Sequence, residues 1–441
     1  MTESDAHPTS SARDVACRHL LDAARAYPSV FPRPISAGSL EPRDRRLAEA
    51  IVNEAMARWF TIRTLADSAL RTPWDRLEPM VQAALLSGGA QLLLLDRVPD
   101  HAVVGETVEW VKRSGGRRGT AGLVNAVLRR IIELRGEPVE HADGTARDQL
   151  LRSNGGGWKL TEDVFDEDPL HRMAEQTGHS TVLLQRWQQA MGREEAFRIA
   201  LHGLCAPPIV VHGAGRDDAL LPHEAPGFGV LAGDASLEEV LERHPDAIVQ
   251  DATTARAVPV ADGLDPKVIL DLCAGHGTKS LQLARRHPDS RVIVSDTDDR
   301  RMEDLDRLAE RIGNIEVMEP SDARGLRGEV DLLVLDVPCS NTGVLPRRRE
   351  ARIRFNEGRL QDLVDLQRQI TADAIATLNT NAHILYITCS LEAQENEAMH
   401  RWLTKWHGHE LVHETSVLPT GLPGDPPSAY RDGGYVALLR T

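Results

Sequence analysis

Cysteine is scarce in this chain of 441 residues: five occur, and no two have the C-x-x-C spacing of a metal-binding or redox pair. The odd number and wide scatter of Cys17, Cys205, Cys273, Cys339 and Cys389 argue against a disulfide framework or a zinc ribbon. Reduced thiols in a cytosolic protein are expected, with no metal. Aromatic residues make up 4%, so cores must rest on Leu, Val, Ile and Ala. No apolar run approaches the ~18 residues of a membrane span. The opening "MTESDAHPTSSARD" lacks the charged-then-apolar layout of a secretory leader. A soluble, cytoplasmic protein without a membrane partner is the expectation. Bases are in deficit as well, 51 against 66 acids, for a net charge of −15. That excludes a general electrostatic grip on nucleic acid but leaves room for a local basic patch.

What is present divides by pattern. Residues 1–12 read as a disordered tail. From 13 to 134 apolar residues recur at three- and four-residue steps, as in "RRLAEAIVNEAMARWFTIRTLADSAL" and "TAGLVNAVLRRIIELR". Pro73, Pro79 and Pro99 fall at helix boundaries, and an all-α bundle is predicted. "GEPVEHADGTARDQ" and "RSNGGGWKLTEDVFDEDP" are rich in Gly and acids and read as a linker. Residues 166–202 look helical again, and "PPIVVHGAG" and "DAIVQDATTARAV" read as short strands of a small mixed subdomain. From 267 onward strands alternate with helices: "KVILDLC", "RVIVSD", "IEVME", "VDLLVLDVP" and "AHILYITCS" are the strands. This alternation predicts a parallel, doubly wound α/β sheet, with "GGYVALLRT" as its edge strand.

In "VILDLCAGHGTKS" a strand runs into Gly275-His276-Gly277 and then a helix, the arrangement that offers backbone N–H groups to a polar ligand. The third glycine of the dinucleotide fingerprint is missing. Asp296 ends the next strand at about the 20-residue offset of a ribose-binding acid. Asp322 follows the strand after that, where an acid could meet an adenine edge. With Asp271, three acids follow three strands, which favours a nucleoside cofactor over ordinary caps. Pattern at this end of the sheet does not separate a nicotinamide from S-adenosylmethionine.

Two thiols later in the chain do. "LLVLDVPCSNTG" brings Asp336 and Cys339 past one strand, and "ILYITCS" brings Cys389 past another. Each cysteine alone reads as a small buried hydrophobe. Together with Asp336 they suit chemistry on a pyrimidine. A thiolate adding to carbon 6 of cytosine makes carbon 5 nucleophilic toward a methyl sulfonium. A carboxylic acid at ring N3 would stabilise the displaced electron density, and a second thiol could assist elimination. Hydride transfer has no need of such a pair. Two basic clusters, Lys112, Arg113, Arg117 and Arg118, and Arg347, Arg348, Arg349, Arg352 and Arg354, are candidates for RNA phosphate contacts. A charge run is more often a solvated face.

"DLCAGHGTKS", "LDVPCSNTGVLPRRRE" and "LYITCSLEAQENE" resemble the signature motifs of RNA (cytosine-C5) methyltransferases of the NOL/NOP/Sun superfamily, whose forms are close to DLCAAPGGKT, DAPCSGTGV and YSTCSxxPEENE. The stretch from "LEPMVQAALL" to "GLVNAVLRRI" resembles the NusB-like RNA-binding domain that precedes them in the RsmB/Sun type, which acts on 16S rRNA. The resemblance implies a NusB-like all-α domain at 13–140 and a Rossmann-like methyltransferase domain at 256–441; composition and pattern put a linker at 141–165 and a small mixed α/β subdomain at 166–255 between them. It implies Cys389 as nucleophile, Cys339 as release group and Asp336 beside the cytosine and the methyl donor. S-adenosylmethionine would bind along Cys273, Ala274, Gly275, His276, Gly277, Thr278 and Lys279, with Asp296 on the ribose and Asp322 near the adenine. The RNA partner would be 16S rRNA, bound by a monomer; tRNA or another RNA is the alternative target. His276 and Thr278 replace a proline and a glycine of the loop, and Asn341 replaces a glycine after PCS. A non-catalytic RNA-binding assembly factor with a degenerate cofactor loop is the rival from another class.

Overall fold

The computed structural model describes residues 11–36, 38, 40–96 and 98–441. They form two compact units, the first from the described part of residues 1–206 with 345–356 and 422–424. Its helices Ala12–Ala26, Pro42–Ala57, Trp59–Asp67, Pro79–Leu93, Asp100–Arg113 and Thr120–Leu134 follow the apolar spacing. Ser11 caps the first helix in a capping box with Asp14, so Ser11 and Ala12 are not part of a tail; residues 1–10 lie outside the described residues. Leu20, Ile51, Trp59, Ile62, Leu85 and Leu128 close one apolar core.

The long run "RRLAEAIVNEAMARWFTIRTLADSAL" is two helices rather than one. Arg58 interrupts it with φ −114° and ψ 25°. Its buried guanidinium donates to the carbonyls of Leu151 (2.8 Å) and Gln176 (2.9 Å), contacts that no local pattern announces.

The stretch 141–165 is not a linker. β1 (Arg135–Val139), β2 (Gln149–Leu151) and β3 (Gly157–Leu160) form an antiparallel sheet in the order β1-β3-β2. What looked like flexibility is close packing: a Cβ at Gly157 would lie 2.1 Å from the Leu150 carbonyl oxygen. Leu150, Leu160 and Phe165 are buried in the same core as the helices. Helices Pro169–Thr177, Thr181–Met191 and Arg193–His202, expected in the mixed subdomain, fold with this first unit.

The second unit opens with a four-stranded antiparallel sheet of β4 (Val210–His212), β5 (Leu220–Pro222), β6 (Phe228–Leu231) and β7 (Ile248–Val249), ordered β5-β6-β4-β7. The alternating region then gives β8 (Val268–Asp271), β9 (Arg291–Val294), β10 (Ile315–Val317), β11 (Val330–Asp336), β12 (Leu378–Thr388), β13 (Glu410–Val417) and β14 (Gly434–Arg440). They form one sheet in the order β10-β9-β8-β11-β12-β14-β13, with β8 to β12 parallel and the last two antiparallel. Val334, Leu385 and Ile387 face one apolar layer, while Leu333, Leu335 and Tyr386 face another with Met399 and Leu403. Burial on both faces is why these strands read as continuous apolar runs. β14, expected at the edge, lies between β12 and β13. The edge is β13, "ELVHETSV", whose polar, half-exposed residues concealed it in the sequence. No helix among the described residues is long and apolar enough to cross a membrane.

Candidate active site

The direction of sheet winding reverses between β8 and β11, and the crevice beyond such a reversal is where open α/β sheets hold ligands. β8 ends in Asp271, which is buried. Its Oδ2 accepts from Ser280 Oγ (2.7 Å), and its Oδ1 is buried without a partner. Burial pushes this carboxyl up to about 7, with Ser280 opposing and the Asp336 charge adding. Gly277 has φ +79°, and a Cβ there would lie 2.5 Å from Leu308 Cδ2, so a side chain at this position is strained. The two departures in the loop are accommodated. His276 is exposed and pairs through Nδ1 with Asp304 (2.6 Å), and Thr278 opens the helix Thr278–Arg286 directly after its cap, Gly277. Asp296 is buried and accepts from the backbone N–H groups of Gly275 (2.9 Å) and Asp298 (3.0 Å), with Arg301 Nη1 at 3.3 Å. With Met302, Glu303 and Glu319 it lines an acidic cleft of about 500 Å³. Asp322 is exposed in the short helix Pro320–Ala323 and does not line that cleft.

Lys279, expected only as part of the loop, reaches across to β11 and donates to Asp336 Oδ2 (2.6 Å). Burial pulls its ammonium down, but the charges of Asp336, Cys389 and Asp271 together outweigh it and hold the group above its ordinary value. β11 and β12 are parallel neighbours with Asp336 opposite Ile387. Asp336, Cys339 and Cys389 therefore emerge at the same end of two adjacent strands. Cys339 is buried; burial, then Glu395 and Cys389, push its thiol well above the ordinary range. Burial does the same to Cys273, helped by the Asp271 charge. Asn341, in place of a glycine, sits at φ +60° and donates from Nδ2 to the Cys339 carbonyl (2.8 Å); asparagine is among the few residue types besides glycine that adopt this region.

A buried polar lock joins the two cysteine loops, and the sequence reading missed it. Glu395 accepts from the Ser340 N–H (2.9 Å), Ser340 Oγ (2.5 Å) and Gln367 Nε2 (2.9 Å). Ser340 and Ser390 share a hydroxyl contact at 3.0 Å, and Thr342 Oγ1 accepts from the Leu391 N–H (2.9 Å). The serines that follow each cysteine are thus tied to each other and to one carboxylate. The only signal in the sequence was an acid within an acidic stretch. Helix Glu397–His407 starts after this lock, so "LEAQEN" is turn rather than helix. Cys389 also lines a cavity of about 270 Å³ with Thr253, Arg256 and Arg431.

The basic clusters are less free than their sequence suggests. In the first unit Lys112 pairs with Glu109 (2.5 Å), Arg113 with Asp14 (2.6 Å) and Arg117 with Glu78 (3.0 Å), while Arg118 is exposed. Arg348 is exposed, Arg347 is half-buried, and Arg349 donates to Asn53 Oδ1 (3.2 Å). Arg352 is corrected outright as an RNA contact, because it is 0% exposed. Its guanidinium donates to the carbonyls of Ala57, Thr177, Gly203 and Leu345 at 2.9–3.2 Å. Burial, reinforced by Arg349 and Arg58, lowers it to about 9.

Both parts of the chain match known families. Residues 261–436 match the family model "16S rRNA methyltransferase RsmB/F", and residues 16–133 match the NusB family. The chain is 31% identical over 411 residues to ribosomal RNA small subunit methyltransferase B of Xanthomonas campestris pv. campestris, covering 88% of this chain and 87% of that one. It is 28% identical over 426 residues to the protein of the same name from Vibrio cholerae, with 92% of each covered. The crystal structure of PH0851 has the same fold, with a TM-score of 0.71 at 19% identity over 97% of this chain and 98% of that one. The match along almost the whole length, with both cysteine loops intact, means that this chain belongs to the RsmB/F family of 16S rRNA methyltransferases.

Proposed function

We propose that this chain transfers a methyl group from S-adenosylmethionine to carbon 5 of a cytosine in 16S rRNA, acting as a cytoplasmic monomer. The observation that carries the reading is the register of β11 and β12. With Asp336 opposite Ile387, one carboxyl group and two thiols share the end of two neighbouring strands, beside the loop after β8. The names of the relatives support rRNA as the substrate.

The residues present fit the cofactor. The unpartnered Oδ1 of Asp271 and the carboxylates of the Asp296 cleft suit its ammonium, its sulfonium charge and its ribose hydroxyls. Residues 273–279 and Asp296 would hold it; Asp322 is a further candidate at the adenine. When bound, it supplies an electrophilic methyl group. The exposed side chain of His276 and the helical position of Thr278 count against a degenerate loop.

In this reading the Cys389 thiolate adds to carbon 6 of the flipped base and makes carbon 5 the nucleophile. The proton that the Cys389 thiol gives up is taken by Asp336, oriented by Lys279, and the resulting carboxylic acid donates a hydrogen bond at ring N3 and stabilises the electron density moved there. After methyl transfer the carbon 5 proton passes to water, the Cys389–carbon 6 bond breaks and Cys389 leaves as the thiolate, restoring the aromatic ring; Cys339 assists that elimination. Cys389→Ala is expected to abolish 5-methylcytosine formation, read by bisulfite sequencing of 16S rRNA exposed to the variant. Retained methylation would overturn the nucleophile assignment.

A further inference from the structure

Beside Cys389, on the side of the sheet that carries Ile387 and Val436, lies the cavity of about 270 Å³. Its bed is apolar, built from Ala257, Val260, Ile387 and Val436, and its charged side chains are Arg256 and Arg431, with Thr253 and Thr254 among its polar ones. None of these comes from the loops after β8 and β9 that carry the acids of the cofactor end. Several arginines of this unit pair with carboxylates, as Arg243 does with Asp217 (3.0 Å), Arg291 with Glu316 (2.6 Å) and Arg301 with Asp296 (3.3 Å). Arg256 and Arg431 form no ion pair among the described residues. Arg256 only lies over the Phe228 ring at 5.9 Å. The Nε of Arg431 is buried with no acceptor.

A buried guanidinium N–H without an acceptor is costly, and an anionic ligand removes that cost. The backbone around Arg431 is fixed for the purpose. Its N–H and C=O both pair with Thr420 (3.1 and 2.9 Å), and the neighbouring Asp432 carbonyl accepts from Thr253 Oγ1 (2.6 Å).

We infer that Arg431 and Arg256 bind the RNA phosphodiester groups that flank the nucleotide presented to Cys389. The apolar bed between them receives that nucleotide. This rests on the reading of Cys389 as the group that attacks an RNA base. Phosphodiesters are favoured over the cofactor carboxylate because the cavity is walled by β12, β13, β14 and the helix Ala252–Ala255.

The test is fluorescence anisotropy of a labelled oligocytidylate over a potassium chloride series, with the full chain carrying Cys389→Ala so that no adduct forms. Arg431→Gln and Arg256→Gln are each expected to weaken binding on the order of tenfold at low salt and to reduce the salt slope by about 0.7. Arg431→Lys keeps the slope, and calorimetric affinity for S-adenosylmethionine is unchanged in all three. Arg256 is exposed, so its variant tests the site even where a change at Arg431 disturbs folding. Unchanged slopes, no oligonucleotide binding by the parent chain, or lost cofactor affinity without a change in slope would overturn the inference. If Cys389→Ala still methylates RNA while the slopes fall, the nucleophile assignment fails and the backbone site stands.

Discussion

Asp271 illustrates how burial sets chemistry at single residues. Its folded carboxyl lies near 7, well above the unfolded value of about 3.9, so the folded chain favours the neutral form. The stability this contributes is present below about pH 4 and is lost as pH rises through about 7. Asp271→Asn is expected to make the decline in thermal midpoint of the cofactor-free protein shallower across that window. Glu54, Glu175 and Glu395, also raised chiefly by burial, account for the remainder. An identical pH profile in the variant would contradict this account. At the same scale, the placement of Cys339, Cys389 and Asp336 at the ends of two strands was legible in the sequence because an apolar run ends just before each motif. The partner of Lys279 was not, since Asp336 is 57 positions away and no spacing rule connects them. Arg352 was misread for a related reason: a run of arginines says nothing about four carbonyls brought to it from elsewhere in the fold.

Elements position these residues. The parallel pairing of β11 with β12 was expected from the alternation of strands and helices, and it aligns the two cysteine loops. The lock that holds them was not legible, because Glu395, Ser340 and Gln367 meet only after folding. Removing Glu395 leaves the Ser340 N–H and Gln367 Nε2 without their acceptor and loosens both loops at once. Glu395→Ala is expected to lower kcat on the order of a hundredfold while RNA and cofactor affinity stay near the parent values. An unchanged kcat in single-turnover assays would remove Glu395 from the positioning of the thiols. The exchange of edge and interior between β13 and β14 has a simpler cause. A half-exposed polar strand lacks both signals, alternation and apolar run, that mark strands in a sequence.

At the scale of the whole molecule, the change of periodicity near residue 267 marks the start of the seven-stranded sheet, but the division between the two units, after residue 206, left no such mark. Residues 345–356 follow the Cys339 loop in sequence yet fold with the helical unit, with Arg352 at their centre. Arg352→Met removes a donor shared by four buried carbonyls and is expected to cost about 3 kcal/mol or more in urea unfolding. An unchanged midpoint would show that the segment is held by other contacts. Glycines in 141–165 were taken for flexibility because composition cannot distinguish a linker from a tight hairpin. The central claim is that Cys389 and Cys339 divide attack and release between them on a cytosine of 16S rRNA. Incubating the Cys339→Ala variant with unmethylated 16S rRNA and S-adenosylmethionine, followed by denaturing electrophoresis, tests it most directly. The account predicts a protein–RNA adduct that survives denaturation and disappears when Cys389 is also replaced. A folded, cofactor-binding variant that forms no adduct, or one whose adduct persists without Cys389, would contradict it.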